Sequence, residues 1–183
     1  MEKISISDLK KFERKDLLGK VICFHTDTVY GLGALLDDEQ GIEKIYQIKH
    51  RDEKKVLPVL CADIMQVESL AIMNEKAKDI AKYWPGALTM ILKMKDYSDT
   101  VAVRIPDSLI AYNVLKHFGP LRTTSVNYSG EKELNSVSEI EKVFGNKIDF
   151  IIIEEGPLSK VPSTIVDVTE EELKIIRNGS IKL

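Results

Sequence analysis

Phe24-His25-Thr26-Asp27-Thr28-Val29-Tyr30-Gly31-Leu32-Gly33 is the stretch on which the reading of this chain turns. A β-branched and aromatic run, Val21-Ile22-Cys23-Phe24, leads into it and a helix-type pattern follows. It therefore reads as the mouth of a strand opening into a loop. Three hydroxyls, one carboxylate and two glycines in ten residues supply hydrogen-bonding groups, with backbone that can take positive φ and admit a ligand closely. Composition leaves a second reading level with this one: a polar strand-to-helix turn whose Thr and Asp satisfy local amides.

The rest of the sequence bounds what such a loop can belong to. With 183 residues, 44% hydrophobic and 30% charged, the chain is expected to form one domain over 1–183 that buries its core without staples. A net charge of −3 argues against a surface that is a nucleic-acid footprint throughout, so any basic patch must be local. Cys23 and Cys61 lie in apolar strand-like runs without C-x-x-C spacing, which points to buried thiols and a reducing compartment. The start at Met1 carries no apolar signal core, and no run approaches the roughly 18 apolar residues of a membrane span. A cytoplasmic protein with no membrane partner is expected.

Along the chain, Ser5 to Glu13 reads as a short capped helix. Asp37-Asp38-Glu39 opens a helix with an apolar stripe at Ile42, Ile45 and Tyr46, acidic residues suiting its first turn. Val59-Leu60-Cys61 reads as a buried strand. Asn74 caps a helix ending at Trp84-Pro85-Gly86, a turn with a packed indole, and the strand Leu88–Lys93 follows. Thr100 to Ile105 alternates as a strand, and Ser108 to Phe118 as a helix with His117 capping carbonyls at its end. Pro120 to Gly130 is a strand entering a polar turn, and Ser136 to Glu139 has capping-box spacing ahead of Ile140, Val143 and Phe144. Phe150-Ile151-Ile152-Ile153 reads as a buried strand. Alternating strands and short helices argue an α/β fold.

Six ordered motifs resemble those of the YrdC/TsaC family, the enzymes that make threonylcarbamoyl-adenylate for tRNA modification. They are TDTVYGLGA from Thr26, the cations Lys49, Arg51 and Lys55 ahead of Pro58, WPGALT from Trp84, TVAVRIP from Thr100, SVNYSG from Ser125, and STIVD with R-x-G at Ser163 and Arg177. The match runs from the Val21 strand to Ile181, in the short form without the extra C-terminal domain of longer relatives. His25, Val56, Ala87 and Val126 depart from the family pattern.

The resemblance implies a YrdC-like twisted mixed sheet wrapped by helices, with a concave basic cavity. It assigns Lys49, Arg51, Lys55, Thr100, Ser125, Asn127 and Arg177 to ATP, and Thr28, Arg104, Thr123 and Ser163 to threonine. The implied reaction joins L-threonine, bicarbonate and ATP into threonylcarbamoyl-AMP and pyrophosphate. Mg2+ would accompany ATP, although no metal-ligand cluster is visible. The product would pass to a threonylcarbamoyl transferase complex acting on tRNA. The alternative is an RNA-binding YrdC-like module in direct contact with RNA, disfavoured by net charge and by the lack of aromatic stacking motifs. A carbamoyl-adenylate step in hydrogenase maturation would need a much larger chain. No Walker A loop, dinucleotide loop, H-E-x-x-H or G-x-S-x-G competes.

Overall fold

A computed structural model describes residues 1–96 and 99–183. Its strands are β1 (Glu2–Ile4), β2 (Ile22–His25), β3 (Tyr30–Leu35), β4 (Val59–Leu60), β5 (Leu88–Lys93), β6 (Thr100–Arg104), β7 (Leu121–Ser125), β8 (Phe150–Ile152), β9 (Thr164–Asp167) and β10 (Lys174–Arg177). The helices are α1 (Glu39–Lys49), α2 (Ile64–Leu70), α3 (Glu75–Ile80), α4 (Leu109–Phe118) and α5 (Val137–Phe144). All ten strands join one mixed sheet in the order β1-β8-β2-β3-β7-β4-β6-β5-β9-β10. The expected α/β fold with a mixed sheet wrapped by helices is what forms.

Strand alternation explains the layering. Ile22 and Phe24 of β2 enter one core with Val114, Leu115 and Phe118 of α4. Cys23, between them, enters the opposite core with Ile45 and Ile48 of α1 and Ile140 and Phe144 of α5. This half of the sheet is covered on both faces. In the other half, Met90, Leu92, Val101, Val103 and Val166 pack on one face against Val67 of α2, Ala77 of α3 and Trp84. The residues between them, Thr89, Ile91, Ala102, Arg104 and Ile165, line a cavity instead.

Caps fall where the sequence put them. Asn74 accepts from Ala77 N and also donates to Val168 O at 2.6 Å. Ser108 accepts from Ala111 N, and Ser136 from Glu139 N. Glu139 reaches Asn135 N rather than Ser136, so the expected capping box is displaced by one residue. His117 does bond a carbonyl, but that of Phe12 in the N-terminal segment and not of its own helix. Ser5 caps a single 3-10 stretch, Ile6–Lys11. Both β1 and α2 escape a sequence reading, three and seven residues being too short for a period.

The larger correction concerns residues 24–33. The strand does open into a loop at residues 26–29, but no helix follows it: β2 turns back through that loop into β3, with Phe24 opposite Gly31 and His25 opposite Tyr30. Gly31 and Gly33 are strand residues paired with Ser125 and Thr123 of β7. Their role is close approach. A Cβ on Gly31 would lie 2.9 Å from Thr123 Cγ2, and one on Gly33 3.1 Å from Phe24 Cε1. The helix pattern begins only at Glu39.

Burial leaves Cys23 and Cys61 as free thiols, and pushes Cys61 up to about 12. No helix among the described residues is long and apolar enough to cross a membrane.

Helix α1 sits on the sheet through Gly41. A Cβ there would fall 2.5 Å from Asp38 Oδ2 and 3.1 Å from the Ala34 Cβ. Gly41→Ala should therefore destabilise the protein by about 1–3 kcal/mol despite alanine's better helix propensity. Urea denaturation measures it; a gain in stability would mean that α1 lifts off the sheet freely.

Candidate functional site

The face of β5, β6 and β9 left bare by the helices forms one wall of a cavity of about 420 Å3, and β3, β4, β7 and β10 together with the loops that carry Thr28, Arg51, Glu133 and Ser163 line the remainder. This size lies within the roughly 300–1,000 Å3 usual for small-molecule sites. Three arginines, Arg51, Arg104 and Arg177, face one carboxylate, Glu133, among the described lining residues. The expected concave basic cavity is present. Thr28, Thr123, Ser125 and Ser163 also line it.

Arg104 anchors the deep end. Only 6% exposed, it donates from Nε to Gly86 O at 2.9 Å, from one terminal nitrogen to Thr28 Oγ1 at 2.9 Å, and from the other to Asp27 Oδ1 at 2.6 Å. Burial lowers its pKa and Asp27 opposes that shift, so the guanidinium stays charged. Three of five N–H groups are used and two remain for a ligand. The turn that delivers Asp27 and Thr28 is folded by Thr26, whose hydroxyl donates to Val29 O at 2.6 Å and accepts from Thr28 N.

Opposite, Arg177 donates to Ser163 O from Nε at 3.0 Å and from a terminal nitrogen at 2.8 Å, and also to Ser163 Oγ. Ser163 Oγ lies 2.8 Å from Thr89 Oγ1. Gly179 explains the R-x-G spacing, since a Cβ there would sit 2.3 Å from Pro162 O and 2.4 Å from Thr164 N. The motif's arginine and glycine both brace residues 162–164.

The seven cavity residues assigned from sequence come together; four others do not. Lys49 is 1% exposed, and its ammonium donates to Ser125 O, Asn127 O and Asn127 Oδ1. Three donors meet three acceptors, so its place is a strut between α1 and the turn after β7. Asn127 is spent likewise, its Nδ2 donating to Glu131 O. Lys55 is exposed and bonds through its carbonyl to Tyr46 OH and Arg51 Nε. Thr100 shares the cavity face with Ala102 and Arg104 by alternation, but lies exposed at the outer end of β6. Arg51 differs from these: α1 ends at left-handed His50, and the next residue reaches the cavity.

Sequence reasoning passed over several contributors. Asp27 and Thr26 stood in the quoted string without a role. The Trp84-Pro85-Gly86 turn is the helix stop with a packed indole that the sequence suggests, but it also serves the site: Gly86 O receives Arg104, and Thr89 just beyond it meets Ser163. The signal available was alternation from Leu88, which turns Thr89 and Ile91 away from the buried face. Glu133 carried no signal, being set by the fold of the loop after β7.

Residues 17–179 match the family model for Sua5, YciO and YrdC, whose description reads telomere recombination. A Methanocaldococcus jannaschii protein is 36% identical across 98% of this chain and 94% of its own length. A Vibrio vulnificus threonylcarbamoyl-AMP synthase is 29% identical over 95% of this chain and 100% of itself. The crystal structure of P. abyssi Sua5 complexed with L-threonine superposes with a TM-score of 0.86 at 33% identity. It covers 97% of this chain, which spans 56% of that longer one.

The strut reading of Lys49 has a measurable consequence. Lys49→Met keeps the stem but strips a donor from three carbonyl-type oxygens, and should cost about 2–4 kcal/mol in urea denaturation. Burial pushes the Lys49 ammonium down to about 8, with Arg51 adding to the effect. Between that value and roughly 10.4 the unfolded chain holds a proton that the folded one has released. The wild type's advantage over Lys49→Met should therefore widen as pH rises through that window. A constant gap would place the ammonium in solvent.

Proposed function

The chain belongs to the Sua5/YciO/YrdC family, and from that premise we propose that it synthesises L-threonylcarbamoyl-AMP from L-threonine, bicarbonate and ATP, releasing pyrophosphate. The observation that carries the reading is Arg104, a buried cation with two N–H groups unspent at the deep end of the cavity beside Thr28. A free amino acid needs its carboxylate paired, and a desolvated guanidinium supplies two charge-assisted bonds for it. Similarity to a solved threonine complex supports the same assignment. The hydroxyls of Thr28, Thr123 and Ser163 would meet the amine and side-chain hydroxyl of threonine.

ATP would lie toward Arg51 and Arg177, its triphosphate between them. Arg51 uses Nε on Lys55 O and keeps both terminal amino groups without a protein acceptor among the described residues. Ser125 lines the same end, while Lys49 and Asn127 act there by holding Ser125 in place. Lys55 and Thr100 would reach ATP only beyond the cavity mouth.

The threonine nitrogen, deprotonated, attacks CO2 derived from bicarbonate to give a carbamate. A carbamate oxygen then attacks the α-phosphorus and pyrophosphate leaves with its bonding pair. No protein nucleophile is needed: the chain orients two anions and neutralises phosphate charge. Among the described residues no group of three or more His, Cys, Asp or Glu side chains could hold a metal. Mg2+ nonetheless fits, because it is held by one or two carboxylates with phosphate oxygens and waters. Glu133, Thr124 and Ser125 are the oxygen donors that would hold it, and when bound it offsets triphosphate charge. The product is a mixed anhydride prone to hydrolysis, which fits direct transfer to a threonylcarbamoyl transferase acting on tRNA.

Two measurements test this. Pyrophosphate release should require ATP, threonine and bicarbonate together, and release independent of threonine would overturn the reading. Arg51→Ala should weaken ATP by about 2–4 kcal/mol, since phosphate charge is left uncompensated, whereas exposed Lys54→Ala should change little. Equal losses would indicate a diffuse electrostatic surface.

A further inference from the structure

A segment that carries none of the assigned ligand residues straps the threonine end of the cavity. Residues 153–162 leave β8 and run across the turn between β2 and β3 before entering β9. Ser159 N donates to Asp27 O and Lys160 N to Thr28 O, both at 3.0 Å. These two main-chain bonds hold the two residues whose side chains grip Arg104. The strap is itself fastened along its first four residues: Ile153 N donates to Ile4 O at 3.0 Å and Glu154 Oε1 accepts from Ile6 N at 2.8 Å. Glu155 Oε1 accepts from Tyr30 OH at 3.2 Å and Val137 N at 2.9 Å, and Gly156 O accepts from His25 Nε2 at 2.8 Å.

His25 is fitted to this contact. It is 3% exposed, its ring lies edge-on to Tyr30 at 5.4 Å, and its carbonyl accepts from Ser108 Oγ. A Cβ on Gly156 would lie 3.1 Å from His25 Cε1, so a side chain there would press on the ring. Because a carbonyl only accepts, Nε2 carries the proton of the neutral ring. Nδ1 is buried with no partner.

We propose that His25 is a positioning residue for amino-acid binding: through Gly156 it fixes the strap, and through Ser159 and Lys160 the strap holds Asp27 and Thr28 on Arg104. This role rests on the synthase reading of the cavity. It places the effect of His25 at the threonine end, since among the described residues no hydrogen bond from 153–162 reaches Arg51, Ser125 or Arg177.

The contact is also sensitive to acid. Protonation would place a second N–H at Nδ1, buried and without an acceptor. Asp27 and Glu155 are the charged groups facing the ring and favour the proton, but burial outweighs them and lowers the pKa below its ordinary value. The unfolded chain therefore takes up the proton first as pH falls through about 6.5, and folding stability declines from there downward, whereas the folded ring keeps its neutral contact with Gly156 to lower pH.

The test pairs ligand affinity with amide exchange on the full chain. Threonine and ATP affinities are measured separately by calorimetry without bicarbonate, whose own titration would otherwise intrude. His25→Ala should weaken threonine about tenfold or more, the equivalent of one lost hydrogen bond, and leave ATP nearly unchanged. It should also remove hydrogen-exchange protection at Ser159 and Lys160. His25→Gln, which keeps a donor near Nε2, should restore both. The stability of the wild type relative to His25→Gln, read by urea denaturation, should fall as pH drops below about 6.5. Gly156→Ala repeats the experiment from the strap side if His25→Ala fails to fold. Equal losses of threonine and ATP, or protection unchanged by His25→Ala, would overturn the role. A wild type that binds no threonine would instead overturn the synthase reading itself.

Discussion

A guanidinium taken almost wholly out of water has to find an anion and further acceptors within the protein, and Arg104 finds them in two stretches distant in sequence. Asp27 and Thr28 come from the β2–β3 turn, Gly86 O from the turn before β5. Losing one partner of such a buried pair typically costs about 3–5 kcal/mol, whereas the intact pair adds little net stability. Its contribution is geometric. The two turns can only close on Arg104 in one arrangement, and that arrangement shapes the deep end of the cavity.

The cavity exists because the sheet is covered unevenly. Around β2, side chains on both faces meet helices, with α4 on one side and α1 and α5 on the other. Around β5 and β6 only one face does. The alternation Leu88-Thr89-Met90-Ile91 and Val101-Ala102-Val103-Arg104 records the difference: Leu88, Met90, Val101 and Val103 point to the helices, and Thr89, Ile91, Ala102 and Arg104 to the open face. Polar backbone on that face is already paired in the ladder, so the wall can remain bare without orphaned amides.

Most elements were legible because a repeating period or a cap announces them. Helices α1, α3, α4 and α5 each begin where an acidic turn or a Ser or Asn cap stands, and β5 and β6 alternate. What stayed hidden follows from two physical limits. β1 and α2 are too short to show a period, and they form because neighbours supply their partners: β8 for β1, and the β5–β6 core for α2. The second limit is that a sequence motif gives identity without direction. In TDTVYGLG the first four residues do form a loop at the cavity, but the glycines are not there for positive φ: Gly31 and Gly33 lie in β3 and are needed for the space they leave to Thr123 and Phe24. Whether glycine serves conformation or proximity depends on the strand opposite, which no local string contains.

The same ambiguity governs the cations, and it changes how the cavity must work. Lys49, Arg51, Lys55, Arg104 and Arg177 look alike in sequence as charges available to phosphate and carboxylate. In the fold, Lys49 is fully committed to Ser125 and Asn127, Arg177 gives three bonds to Ser163, and Lys55 lies outside the lining. Charge that is already paired still contributes potential but no longer offers donors. Among the described residues the free donors reduce to the terminal groups of Arg51, one terminal amino group of Arg177 and two N–H groups of Arg104, at separate positions. Two anions can then be told apart by where their oxygens reach, with a net charge of −3 over the whole chain doing nothing to draw them in unspecifically. Selectivity in such a cavity comes from the struts as much as from the ligating groups, because a displaced strut would return a paired cation to the pool of free donors and erase the distinction.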